Sequence, residues 1–496
     1  MALKPKSDDI KSVEVAGVGR AGVGGAGVGL PSTDRLSLDL QFAADKTLTA
    51  RKGPTPVFTR ASGATQVGAT GLIEYAPENL VLQSQNFSNA TWQKLNGATV
   101  GATVADPFGG TSAYTLNFSS TNYSRFEQWS PGSQTGDVIT VSVYLRADSN
   151  TTIFTRLALE TFATFNVTTN WQRFEYTATQ QAIGLYPQLN NYESGAKTIY
   201  AYGFQVERFS SARTYIPTTT ASVYGARFDH DPVTLASRGL LIEESRTNLV
   251  FPSDTLTTQT RTVTATAHTL SFYGTGTVVL SGVAVATVTG TGAYPTRTTL
   301  TFTPTAGSLI MTVTGSVTQA QLEEGAFATS YIPTTTASVV RSADICTITG
   351  SSFTGMYNQS EGTLLTQSTK TSTNSNSFIA AMSDNSFNNS LDLRYSAVTT
   401  ASSLMNFSNV NQFTGFSGAI TSGSSPKQAI AYKLNDCAYS ANGASVIIDT
   451  LASIPTFNRV DIGMSFVPSL FLNGHIASIR YYKKRLANAK IQALTV

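Results

Sequence analysis

The sequence predicts an all-β protein: tandem β-sandwich modules of the jelly-roll type behind an extended glycine-rich segment. Three observations predict it. Short runs such as Ile139-Thr140-Val141-Ser142-Val143-Tyr144-Leu145 alternate apolar and polar residues, the period of a half-buried strand, and Gly, Asn, Ser and Thr clusters separate them. Charged residues make up only 13% of the chain, and Ser, Thr, Asn and Gln take their place as solvated residues, a composition that favours extended backbone over helix. A cassette is duplicated, Thr-Tyr-Ile-Pro-Thr-Thr-Thr-Ala-Ser-Val at Thr214–Val223 and Ser-Tyr-Ile-Pro-Thr-Thr-Thr-Ala-Ser-Val at Ser330–Val339.

At roughly 100–200 residues per domain, 496 residues suggest three or four domains. The first segment, residues 1–57, opens with Ala-Gly-Val-Gly repeated from Ala16, Ala21 and Ala26. Glycine at that density leaves no side chains for a private core, so this segment is expected to order against a partner chain. Leu36-Ser37-Leu38-Asp39-Leu40 then reads as a half-buried strand. Residues 58–227 form the first predicted sandwich, with further strands around Trp171–Tyr176 and Ile199–Val206.

Residues 228–343 repeat that module in shortened form. Leu72-Ile73-Glu74 and Asn79-Leu80-Val81 return as Leu241-Ile242-Glu243 and Asn248-Leu249-Val250, while Gln205-Val206-Glu207 and Tyr215 return as Gln321-Leu322-Glu323 and Tyr331. Loop deletion between related sandwiches explains the unequal spacing. The cassette, stiffened by Pro217 and Pro333, is expected to be an exit linker. Residues 344–496 form the last module, with hairpin signals at Asn442-Gly443 and Asn473-Gly474 and one helix over Leu486–Leu494 packing Leu486, Ala489, Ile491 and Ala493.

Several chemistries are disfavoured. The net charge is +3 and the only dense basic spot is Lys483, Lys484 and Arg485, so nucleic acid is not expected as a partner. Membrane insertion and signal-directed export are not expected either, since no run of about 18 apolar residues occurs and the start lacks an apolar signal core. Cys346 and Cys437 read as small core thiols, with one bridge between them left open. Gly17-Val18-Gly19-Arg20-Ala21-Gly22 matches a dinucleotide-loop pattern but runs into more glycine instead of a helix. His230, His268 and His475 lack metal-ligand spacing, and Phe228-Asp229-His230-Asp231-Pro232 reads as a turn. Glu243-Glu244 and Glu323-Glu324 would point to opposite faces of a strand and cannot flank one glycosidic bond, while Glu127, Glu160 and Glu175 are isolated. No catalytic residue, metal or cofactor is expected; Asp384, Asn385, Asn388 and Asn389 are better read as a polar loop than as a calcium site.

Sugar recognition is the chemistry the residues favour. Sugar rings stack their C–H faces on aromatic side chains while their hydroxyls bond Asn, Gln and Arg. Trp92, Tyr123, Arg125 and Trp129 lie together with Phe126 among such residues and are the candidate carbohydrate-binding set; Trp171 reads as core.

Three strings carry a resemblance. They are Phe58-Thr59-Arg60-Ala61-Ser62-Gly63-Ala64-Thr65, then Phe228-Asp229-His230-Asp231-Pro232-Val233-Thr234 followed by Gly239-Leu240-Leu241-Ile242-Glu243-Glu244-Ser245-Arg246-Thr247-Asn248-Leu249, and Gln321–Gly325 leading to Tyr331-Ile332-Pro333-Thr334. Together they resemble bacteriophage tail and fibre proteins carrying jelly-roll carbohydrate-binding modules. The C-terminal module, through Ala431-Tyr432-Lys433, Asn442-Gly443 and Gly474-His475-Ile476, resembles the laminin-G or concanavalin-like sandwiches found beside them. The resemblance implies a non-enzymatic virion appendage, made in the host cytoplasm: a homotrimeric fibre, spike or collar component docked to other virion proteins through residues 1–57 and attaching to host surface polysaccharide. A decoration protein and a glycan-cleaving tailspike are the alternatives.

Overall fold

The computed structural model describes residues 35–496 apart from 121–122, 131, 134, 158–161, 182–185, 422 and 467–468. The glycine repeat, Glu160 and most of the predicted docking segment therefore lie outside the described residues. The chain is built of antiparallel β-sandwiches, three in number among the described residues.

The first sandwich packs two five-stranded sheets. One runs Gln172–Thr179, Val138–Arg146, Lys197–Glu207, Ala113–Phe118, Thr99–Val104; the other runs Ala163–Val167, Thr151–Arg156, Gln188–Asn191, Ser124–Glu127, Gln93–Leu95. The alternation along Val138–Arg146 works as predicted: Ile139, Val141, Val143 and Leu145 are fully buried between the sheets. In Lys197–Glu207 the buried phase changes from Ile199 and Ala201 to Phe204 and Val206. Gly203 makes the change, with φ at 64° and a register shift opposite Ser142 and Tyr144. The second sandwich packs Gln259–Val263, Gly307–Thr314, Thr277–Gly282 and Ala286–Thr289 against Thr298–Phe302, His268–Tyr273 and Thr318–Glu324. It has the same bulge, here carried by Gln319 at φ 46°.

The duplicated cassette is more than an exit linker: each copy is stitched back onto its own sandwich by one repeated set of side chains. Asn79 Nδ2 donates to the carbonyls of Phe204 (3.1 Å) and Ile216 (2.8 Å); Asn248 Nδ2 donates to those of Ala320 (3.0 Å) and Ile332 (2.8 Å). Gln205 Oε1 accepts from Ile216 N, and Gln321 Oε1 from Ile332 N, both at 2.7 Å. Tyr215 meets Ser84 at 2.6 Å and Tyr331 meets Ser253 at 2.7 Å. These polar residues recur in both copies because Asn79, Asn248, Gln205 and Gln321 satisfy backbone groups that burial would otherwise leave unpaired. Asn248→Ala removes the partner of four buried backbone groups and is expected to cost about 2–3 kcal/mol in chemical denaturation, with Asn79→Ala similar and the two effects nearly additive.

Pairing in the third sandwich corrects the expected segment boundaries. Its larger sheet runs Arg227–His230, Ser237–Ile242, Gly474–Tyr482, Glu361–Lys370, Lys427–Lys433, Cys437–Ala441, Ile447–Asp449, and Leu36–Leu40 also pairs with Gly474–Tyr482. The facing sheet starts at Val57–Thr59 beside Ile345–Thr349 and ends at Val410–Ala419. Residues 36–57, expected to be extended for docking, thus place Leu38, Leu40 and Phe42 in the core, and the start of the predicted second module belongs to the C-terminal sheet. The apolar alternation of Leu36–Leu40 is what drives this burial. The terminal helix is Asn488–Leu494; Leu486 and Ile491 are buried as expected, but Ala489 and Ala493 face solvent. Asn442-Gly443 forms its turn with both φ positive, whereas Asn473-Gly474 leads into a long strand instead of a hairpin. Both cysteines are free and buried.

Where the sandwiches meet, Arg60 and Glu243 of the strings that carry the sequence resemblance join Arg227, Arg341 and Asp344 in a buried ion-pair hub. Arg227, fully buried, donates to Glu243 Oε2 at 2.7 Å, to Ser330 Oγ at 2.6 Å and to Asp344. Arg60 donates to Asp344 Oδ1 at 2.9 Å, and Arg341 lies 3.4 Å from Glu243. Burial alone would raise the Glu243 carboxyl, but Arg341 and Arg227 outweigh it and hold it well below its ordinary value; Asp344 is held low in the same way by Arg227, Arg60 and Arg341. Glu243 and Glu244 lie just past the strand Ser237–Ile242 instead of on it, and Glu244 accepts from Asn473 Nδ2 at 2.9 Å and pairs with Arg246.

Candidate carbohydrate-binding face

Strand register builds this face of the first sandwich. Phe126, Leu189, Ile153 and Thr155 point into the core, so their neighbours Arg125, Glu127, Gln188, Asn190, Phe154 and Arg156 point outward. Asn190 lies opposite Arg125 on one side and Phe154 on the other; Gln188 lies opposite Glu127 and Arg156. Four rings gather over this sheet. Tyr192 stands with its centroid 4.8 Å from Tyr123, 4.9 Å from Phe162 and 5.9 Å from Phe154. Tyr123 donates its hydroxyl to Tyr192 at 3.2 Å, and that bond, with burial, raises its pKa. Tyr192 remains 41% exposed, so a flat ring face is offered to solvent.

Charged groups frame the rings. Arg125 pairs with Glu127 at 2.7 Å. Lys197 pairs with Glu193 at 2.7 Å and approaches the Phe154 ring at 5.9 Å. The Lys197 ammonium and the Thr152 hydroxyl hold the Glu193 carboxyl below its usual value. The Arg156 guanidinium lies 4.5 Å from the Phe162 centroid. Asn190 is fully buried and donates to Gln188 at 3.0 Å, but its Oδ1 has no donor. A cavity of about 440 Å³ opens alongside, lined by Asn150, Thr152, Asn166, Glu193 and Lys197 among others. Clustered rings next to a cleft lined by Asn, Thr, Glu and Lys suit a ligand with apolar faces and a hydroxylated rim.

Two of the four residues proposed from sequence belong to this face, Tyr123 and Arg125. Trp92 does not. It is 1% exposed, its ring packs 4.9 Å from Phe87 and 5.1 Å from Phe204, and its indole N–H donates to the Gln83 carbonyl at 3.1 Å. A buried tryptophan needs such an acceptor, and this one leaves no ring face for a ligand. Trp129 is 53% exposed, two residues beyond the strand Ser124–Glu127. Trp171, expected in the core, is half-buried on the other sheet under the Arg146 guanidinium, 5.6 Å from its ring. Phe154, Phe162 and Tyr192 were missed; the outward phase of Phe154 in Thr151–Arg156 was the one signal available.

Part of the chain is similar to known carbohydrate-binding sandwiches. A Ruminococcus gnavus IT-sialidase CBM40 solved with alpha2,3 sialyllactose matches at 14% identity and a TM-score of 0.25, covering 28% of this chain and 83% of that one. A CBM4 structure matches at 21% identity and a TM-score of 0.21, covering 27% and 95%. The enzymatically active domain of tailspike protein 4 from bacteriophage CBA120 matches at 15% identity and a TM-score of 0.22, covering 26% and 21%. No protein-family model and no curated protein matches.

The other candidates resolve into structural roles. Asp231 Oδ1 accepts from the amides of Val233 (2.9 Å) and Thr234 (2.8 Å), as expected of a turn. Asp229 belongs to a strand and accepts from Val67 N at 2.6 Å and meets His475 Nε2 at 2.7 Å. Asp384 accepts from Ser386 (2.6 Å) and Asn389 (2.7 Å), closing its own loop.

Proposed function

We propose that the chain is a bacteriophage appendage protein that attaches the particle to host surface glycans through the Tyr123–Phe154–Phe162–Tyr192 face of its first sandwich. The glycine-rich N-terminal segment docks to other virion proteins, the second and third sandwiches position the first, and the fibre is a homotrimer. The observation that carries the binding role is the exposed ring of Tyr192 clustered with three other rings above an asparagine whose acceptor is unfilled. The strings that resemble those of phage fibre proteins support the virion setting; Arg60 and Glu243 within them belong to the buried hub.

Glycan binding is tested by presenting the purified chain to host polysaccharides. Tyr192→Ala is expected to weaken binding about tenfold, equivalent to ~1.4 kcal/mol, with an unchanged melting temperature. A chain that assembles into virions but binds no host polysaccharide would favour the decoration-protein reading. Release of oligosaccharides from host capsule would favour the tailspike reading.

A further inference from the structure

The charges around the ring cluster do not cancel. Arg125 is matched by Glu127 at 2.7 Å and Lys197 by Glu193 at 2.7 Å. Arg156 has no carboxylate partner among the described residues, and its Nε is buried without an acceptor. Its guanidinium is held over Phe162, which fixes it beside the ring surface instead of out in solvent. One strand away, the Asn190 Oδ1 is likewise unfilled. Among the described residues, the face therefore carries one cation without an anion and one buried acceptor without a donor.

We infer that this face selects an acidic saccharide, a sugar unit bearing a carboxylate. The carboxylate pairs with Arg156, and the C–H face of the ring lies on Tyr192 and Phe162. A charge-assisted contact to a guanidinium adds planar, two-point recognition that a neutral sugar hydroxyl does not supply. Glu127 and Glu193 do not oppose this, since each is already matched by its own cation. This inference rests on the glycan-binding reading and narrows it to one ligand class.

The test uses the full chain on an array holding polygalacturonate, hyaluronate and alginate beside dextran, xylan and mannan. The strongest polyuronate is then carboxyl-reduced to its neutral counterpart. Binding is expected to the carboxylated probes, with a loss of about tenfold or more on reduction. Arg156→Gln is expected to give the same loss on the carboxylated probe and no change on the reduced one, while Tyr192→Ala weakens both. Equal binding to the reduced probe, or an Arg156→Gln variant as tight as the parent, would overturn the acidic-sugar inference and leave glycan binding standing. Binding to none of the six would overturn both. A substitution separates specific pairing from general attraction: Lys483→Gln, in the third sandwich, is expected to leave the acidic preference intact, and loss of that preference would overturn the inference.

Discussion

Arg227→Ala is expected to destabilise the chain by about 3–5 kcal/mol, because Glu243 and Asp344 stay buried while both lose the one arginine that bonds the two of them. The side chains of Arg227 and Asp344 are 0% exposed. The variant also loses the donor to the Thr65 carbonyl at 3.2 Å, which ties the Thr65–Val67 hairpin strand to the junction. Arg238→Ala is the control. It breaks a half-exposed pair with Asp231 and should cost less than about 1 kcal/mol. Urea unfolding at pH 7 separates the two. The hub also has a pH signature. Glu243 and Asp344 titrate below their unfolded values, so their contribution is complete above about pH 4–5 and is lost as pH falls below it.

Asp392→Asn is expected to act in the opposite sense and stabilise the chain at alkaline pH. Asp392 lies between Ala381 and Leu404 on neighbouring strands and is 3% exposed. Its Oδ1 is 3.4 Å from Arg394 Nε, and neither atom makes a hydrogen bond. Burial outweighs Arg394 and the Leu404 amide and pushes the carboxyl up to about 7 from 3.8. The folded chain then keeps a proton that the unfolded chain releases between about pH 4 and 7, so stability falls as pH rises through that window. At ~1.4 kcal/mol per unit, the penalty at pH 8 approaches about 4 kcal/mol. Asn carries no charge to desolvate. The variant should gain about 2–4 kcal/mol at pH 8 and almost nothing at pH 4, measured by denaturant midpoints at the two values.

The fold class was legible because alternation is local: Ile139, Val141, Val143 and Leu145 announce their inward phase without reference to any other strand. The copy relationship was legible for the same reason, since Asn79 and Asn248 stand at matching landmarks. Pairing was not. Leu36–Leu40 reads as a strand, but its partner Gly474–Tyr482 lies at the far end of the chain, and nothing local selects it. The phase change at Gly203 was equally hidden, because a bulge depends on what lies opposite. At the candidate site the difficulty was chemical. A tryptophan serves a sugar or a core with the same residue type, and only the Gln83 carbonyl beside its indole decides for Trp92. Tyr192 and Phe154 come together through strand pairing of Asn190 with Phe154, not through sequence proximity.

The proposed saccharide site is the ring cluster of the first sandwich. A crystal structure of the full chain with a bound oligosaccharide decides it. The expected result is a sugar ring stacked on Tyr192 and Phe162, with Arg156 within hydrogen-bond reach. Saccharide bound instead on the opposite sheet, over the 67% exposed ring of Phe108 and its neighbours Tyr144 and Tyr202, or on the third sandwich with the Tyr192 cluster empty, would contradict it.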